Sequence, residues 1–212
     1  MKRICYLLLL VFMMTSCMTY QGLYNIGLKN VERPEDAKER YGESKIISFP
    51  EGDKTKYSYE DDMIRIVWYP STTQFDFTMH NKTDHSIKII WDEAVYVNEN
   101  GSSGRVIHTG VRFIDKNYPQ PPSVIAKNTD IEDLIIPADN IKSESGPYSG
   151  WIIAPLFPYK ANTKKELGHL TEKYIGKEVK VLLPLEIQGI INEYIFEFEI
   201  EDFEVEDIWQ SP

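Results

Sequence analysis

Two cysteines, four histidines and a few acidic clusters are the residues on which chemistry would have to rest. Cys5 lies in an N-terminal apolar run and Cys17 closes it, so everything downstream lacks a thiol. That excludes a zinc ribbon, a thiol-redox pair and an internal disulfide. His80, His85 and Asp92 fall close together around one predicted hairpin and carry metal-ligating atoms. The simpler reading puts His80 at a strand end and His85 in a solvated turn. Glu60-Asp61-Asp62 and Glu132-Asp133 offer carboxylates for calcium but lack the alternating spacing of a calcium loop. Asp92-Glu93 resembles the acid/base pair of a glycosidase only in composition, because neighbours on a strand face opposite sides of the sheet. A solvated acidic surface accounts for all three clusters. The nucleophile-elbow, zincin, phosphate-loop and dinucleotide patterns are missing, and no cofactor or metal is expected.

Aromatic residues carry a better hint. Trp68, Tyr69, Trp91, Tyr96, Tyr118, Tyr148 and Trp151 are numerous for one β domain. Core packing is the reading for Trp68 and Trp91, and alternation supports it for Trp68. Tyr118 and Tyr148 instead sit among Pro and Gly, in segments that read as loops. Rigid scaffolds carry recognition on loops, and Tyr and Trp anchor protein interfaces or stack on sugars. The sequence therefore nominates the loops 115–123 and 143–151, with Tyr118, Tyr148 and Trp151, as the binding surface.

The first 17 residues have their own logic. Lys2 and Arg3 precede an apolar run from Ile4 to Met14, which is signal-peptide length and short for a membrane span. Met14-Thr15-Ser16-Cys17 follows, with small residues just before the cysteine. This resembles the lipobox of bacterial lipoproteins. The resemblance implies cleavage after Ser16, a diacylglyceryl group on Cys17 and a membrane anchor of two or three acyl chains. Multiple chains make such anchoring effectively permanent, since each buried methylene contributes about 0.8 kcal/mol. Met18, in place of Asp, resembles the pattern for sorting to the outer membrane.

Composition fits that compartment. The 212-residue chain carries a net charge of -10, and loss of Lys2 and Arg3 with the signal leaves -12. Such a surface repels phosphate backbones, which argues against nucleic acid as a partner. With 42% hydrophobic residues, one domain can bury its own core.

The remaining elements must position the loops. Residues 18–33 read as a polar tether and residues 34–42 as a short helix with Pro34 at its start and Gly42 at its stop. From residue 44 the period is two: Ile64/Ile66/Trp68, Phe75/Phe77/Met79, Ile87/Ile89 and Val95/Val97 each alternate with other residues. Asn81-Lys82-Thr83-Asp84 and Asn100-Gly101-Ser102 match glycosylation sequons or their neighbourhood but read as turns between strands. Pro119, Pro121 and Pro122 forbid a central strand, 131–136 is a strand, 138–150 a polar loop and 151–157 a strand. Asn162 is expected to cap a helix running to Tyr174. Val179–Ile187 and Glu193–Val205 form a long hairpin around Gln188-Gly189, and Pro184 points to an edge or a bulge.

Eight to ten such strands predict a mainly all-β fold, an antiparallel two-sheet sandwich with one or two short helices. Within residues 44–212, the Asn81-Lys82-Thr83 turn followed by Ile87-Lys88-Ile89, together with the final hairpin, resembles over about 140 residues the immunoglobulin-like sandwiches of bacterial lipoproteins and late-embryogenesis-like domains, without the antibody Cys-Trp-Cys core. It implies a noncatalytic, membrane-anchored envelope lipoprotein that binds a protein as an accessory of an envelope assembly. The alternatives are a surface lipoprotein that binds carbohydrate or a small ligand through loop aromatics, and a hydrolase whose carboxylates meet only in the fold.

Overall fold

A computed structural model of the chain describes residues 19–34, 36–51, 54–146 and 149–206. The N-terminal apolar run, Cys17 and Tyr148 lie outside the described residues.

The period-two runs become strands because alternate side chains find an apolar interior. In β4 (Ile64–Pro70) and β5 (Phe75–Asn81), Ile64, Ile66, Trp68, Phe75, Phe77 and Met79 are buried while their neighbours reach solvent. Tyr194, Phe196, Phe198 and Ile200 do the same along β15 (Ile190–Val205). The two sets meet face to face. Trp68 lies 4.9 Å from Phe196 edge-on, and Phe75 lies 4.9 Å from Phe198. Each fully buried side chain of this size contributes roughly 1.5–3 kcal/mol.

One antiparallel sheet supplies both faces. Its path begins at β13 (Lys160–Ala161) and runs through β1 (Tyr20–Glu32), β15, β14 (Glu178–Ile187), β7 (Val95–Val97) and β8 (Ser103–Ile107). It continues through β10 (Asp130–Pro137), β5, β4 and β3 (Lys54–Glu60) to β2 (Lys45–Glu51). β6 (Ile87–Ile89) branches from β14 and holds β9 (Ser123–Ile125). The fold is thus mainly β, but the predicted pair of sheets is a single curled sheet packed against itself. β10 makes the corner. Its first six residues pair with β5, and Ile136 and Pro137 then pair with β8. A small second sheet joins β11 (Ile141–Glu144) to β12 (Gly150–Ile153). Two helices, α1 (Ala37–Tyr41) and α2 (Lys164–Glu172), complete the described elements of regular length.

Several expectations need correction. Residues 20–32 are no tether but a full strand between β13 and β15, with Ile26 and Leu28 in the core. Its glycines are packing requirements. A Cβ on Gly22 would stand 2.1 Å from the Glu204 carbonyl oxygen, and one on Gly27 would stand 2.9 Å from the Tyr57 hydroxyl. Pro184 lies in a central strand, not at an edge. Its carbonyl accepts from the Ile90 N–H, and its nitrogen faces the same way, toward the stretch between β6 and β7 where the neighbouring strand is interrupted; the proline leaves out only the reciprocal bond at the end of β6. The 138–150 segment holds β11, half of the small ribbon, and the strand that follows stops at Ile153. Thr163, not Asn162, caps α2 by accepting from the Glu166 N–H. The Asn81 turn does not close a hairpin; it carries the chain from β5 to β6, in different halves of the curled sheet. Asn81 is fully buried there, donating to the carbonyls of His85, Ile125 and Ala126 and accepting from Thr83.

Candidate functional site

The nominated aromatics divide as burial divides them. Trp68, Trp91 and Tyr96 belong to the core. Trp91 donates its indole N–H to Ser123 Oγ at 2.8 Å and stacks on His108, 4.2 Å away and 3° from parallel. Tyr118 is 65% exposed and Trp151 42%.

The loop bearing Tyr118 is built from polar clamps. A 3-10 turn at Phe113–Asp115 closes with an Arg112–Asp115 bond of 2.7 Å, and the Tyr118 N–H donates to the Asp115 carbonyl. Asp92 accepts from the Gln120 N–H and from Arg105, which also holds the Tyr118 carbonyl. Gln120 in turn donates to the Val106 carbonyl. Three prolines in this stretch lower the entropy lost on fixing it. Asp92-Glu93 therefore sit in a 3-10 turn (Trp91–Glu93), not on a strand, and Asp92 is a loop anchor.

The second loop is attached to the first. Lys116 Nζ donates to the carbonyls of Ala138 and Ile141, at 2.8 and 2.7 Å. A satellite core of Ile107, Ile136 and Ile141 takes in Val111 and Phe113 from one side and Ile153 from the ribbon. Tyr118 and Trp151 thus rise from segments that share a packed base. Ile114, Val124 and Ile152 are further exposed apolar residues of these same segments. Ile114 and Val124 gave no signal in the sequence reading, because a lone aliphatic in a loop or short strand looks like core.

The titratable candidates are dispersed. His80 pairs with Asp130 at 2.9 Å, His85 with Asp84 at 3.0 Å, and Asp92 with Arg105, so the predicted ligands hold separate partners. No group of three or more potential metal ligands occurs among the described residues. Two acids have buried structural roles that the acidic clusters concealed. Asp133 accepts from the N–H groups of Thr109 and Leu134 and contacts His108 Nδ1 at 3.3 Å. Burial pushes its carboxyl up, but these hydrogen bonds outweigh it and hold the group below its ordinary value. Asp61 accepts from Tyr59, Tyr194 and Arg33 and from the N–H groups of Met63 and Ile64. Nothing local to 60–62 signals this, since the tyrosines and the arginine come from β3, β15 and the end of β1.

A cleft of about 210 Å³ opens elsewhere, between β1 and β15 on one side and the β4–β5 turn on the other. Tyr24, Ile26, Pro70, Thr72 and Phe157 line it, and Glu204 is the single carboxylate in its wall. Among the described residues no helix is long and apolar enough to cross a membrane. The chain is thus a mainly β protein built on one large curled antiparallel sheet and a small ribbon. No protein family, curated protein or solved structure matches it.

Proposed function

We propose that the chain is a noncatalytic lipoprotein of a bacterial envelope, anchored through Cys17, which binds another envelope protein through the loop end that carries Tyr118 and Trp151. The observation that carries the reading is the pairing of exposed apolar side chains with a rigidly clamped base. Tyr118, Ile114, Trp151 and Ile152 are held out by salt bridges, prolines and the satellite core, so little order is left to be lost on binding. The acidic body supports a covalent anchor over a polybasic one.

The test has two parts. Cys17→Ala is expected to abolish fatty-acid labelling and leave the chain unprocessed; persistent labelling refutes the anchor. A photo-cross-linking residue placed at 118 or 151 in intact cells is expected to capture one stoichiometric protein, whereas the same residue at Ile190, equally exposed elsewhere, is not. Equal yields at all three positions refute the surface. Trp151 also suits a sugar face, and it is the exposed tryptophan among Trp68, Trp91 and Trp151. Saturable quenching by a glycan, lost in Trp151→Phe, transfers the reading to carbohydrate binding.

A further inference from the structure

β2 ends the sheet. It pairs with β3 along Lys45–Glu51, and among the described residues no strand lies on its other side. Terminal strands are normally shortened or masked, because unpaired N–H and C=O groups recruit another strand. This one is seven residues long and presents Ile46 and Ile47, 38% and 45% exposed, on opposite faces. The orientation of its backbone can be fixed. The Asp61 N–H bonds the Ile64 carbonyl, so Asp61, Tyr59 and Tyr57 turn their backbone groups toward β4, and Glu60, Ser58 and Lys56 turn theirs toward β2. Their partners Lys45, Ile47 and Phe49 face β3. Ile46, Ser48 and Pro50 therefore present their backbone to the open edge.

We infer that this edge pairs with the same edge of a second copy, antiparallel and centred on Ser48, to make one sheet continuous through a dimer. The strand reads Lys-Ile-Ile-Ser-Phe-Pro-Glu, which is self-complementary in that register. Lys45 falls opposite Glu51 of the second copy at both ends. Ile47 falls opposite Phe49, as a non-hydrogen-bonded pair in which side chains approach closely. The Ser48 N–H and carbonyl exchange bonds with those of the other Ser48, and each Ile46 N–H meets a Pro50 carbonyl. Pro50, which has no N–H to give, costs only one bond per side. Sliding one copy by two residues loses both Lys45–Glu51 pairs: one direction sets Lys45 against Phe49 and the other sets Glu51 against Ile47, so within the strand the Ser48-centred register is the complementary one. The surface is separate from the Tyr118 end.

The test uses the full chain. Ser48→Cys brings two cysteines to the symmetry axis, at a Cα spacing of about 5.5 Å that a disulfide spans. A disulfide-linked dimer is expected on mild oxidation, well above the yield of the unmodified chain, with none added by Ile190→Cys. Lys45→Glu and Glu51→Lys each set like charges opposite at both ends and are expected to weaken dimerisation roughly tenfold in sedimentation equilibrium. The double variant is expected to restore it. Equal cross-linking at 48 and 190, or single reversals with unchanged dissociation constants, overturn the proposal. So does a monomer whose β2 edge is cross-linked by a different polypeptide.

Discussion

Asp61→Ala should cost the fold about 4 kcal/mol. The Asp61 side chain is fully buried at the β3–β4 turn, and its two oxygens divide five donors. Oδ1 takes the N–H groups of Met63 and Ile64 at 2.8 and 2.9 Å. Oδ2 takes the hydroxyls of Tyr59 and Tyr194 at 2.9 and 3.0 Å and Arg33 at 3.3 Å. Removing the carboxylate strands all five, but not equally. Arg33 keeps the Gly42 carbonyl, and N–H groups at a turn are accessible to water once the side chain is gone. The hydroxyls are worse placed: Tyr59 and Tyr194 are buried, Tyr59 keeps only a contact with Ser44, and Tyr194 loses its hydrogen-bond acceptor. Each orphaned buried donor costs about 1–3 kcal/mol. The sum falls within the roughly 3–5 kcal/mol typical of breaking a buried ion pair. Against a total of about 5–15 kcal/mol, such a loss leaves a marginal domain. Urea unfolding followed by tryptophan fluorescence measures it. The decisive form is a double-mutant cycle with Tyr194→Phe, expected to cost about 1.5 kcal/mol in the native background and nothing, or less than nothing, beside Asp61→Ala. If Tyr194→Phe costs the same in both backgrounds, the hydroxyl does not work through Asp61, and the reasoning fails.

Three further outcomes follow from the same structure. Burial raises the phenols of Tyr24, Tyr59, Tyr96 and Tyr194, and pushes that of Tyr57 up to about 12. A raised folded pKa keeps its stabilisation below the unfolded value near 10 and loses it as pH climbs toward the folded value, so melting temperature should fall steeply above pH 10. Absorbance of tyrosinate at 295 nm should rise together with loss of circular dichroism; ionisation of these phenols in a still-folded chain contradicts the assignment. Asp133 has the opposite sign. Its depressed carboxyl stabilises above about pH 4 and the contribution disappears as acid protonates it, so Asp133→Asn should lower stability at pH 7 by about 1–3 kcal/mol and flatten the acid limb. Gly22→Ala should destabilise by about 1–3 kcal/mol, because the new methyl meets the Glu204 carbonyl and the Phe203 ring. A neutral outcome in thermal melts would return residues 20–32 to the status of a tether.

Where one face of a strand is buried and the other wet, the sequence shows it. β4, β5 and the β14–β15 hairpin were legible because Ile66 and Trp68, Phe75 and Phe77, and Phe196 and Phe198 recur at every second position. β1 was not, because its glycines suggest a flexible chain when read alone. Gly22 and Gly27 lack side chains because Phe203, Tyr57 and Glu201 occupy that space, and those residues are remote in the sequence. Pro184 misled for a similar reason. A proline excludes a ladder bond only on the side its nitrogen faces, and that side is known only once the break between β6 and β7 is known.

The same limit governs the surfaces. Tyr118 was legible as exposed, since prolines around an aromatic leave little room for a core, whereas Trp151 was nominated only as a neighbour of such a loop. That their loops share a base was not, because Lys116 reaches Ala138 and Ile141 through backbone carbonyls, which leave no trace in residue type. Asp61 shows the converse: three consecutive acids look solvated, yet the middle one is the most enclosed carboxylate among the described residues with ion pairs. Charge along a chain reports what a segment can tolerate outside, not what a distant tyrosine will demand of it inside. The self-complementary run from Lys45 to Glu51 carries its meaning in the same conditional way. In a central strand its symmetry would be idle, because both edges would already be paired. At the end of the sheet path, with Ser48 turned outward, the order of its charges determines which strand can come next.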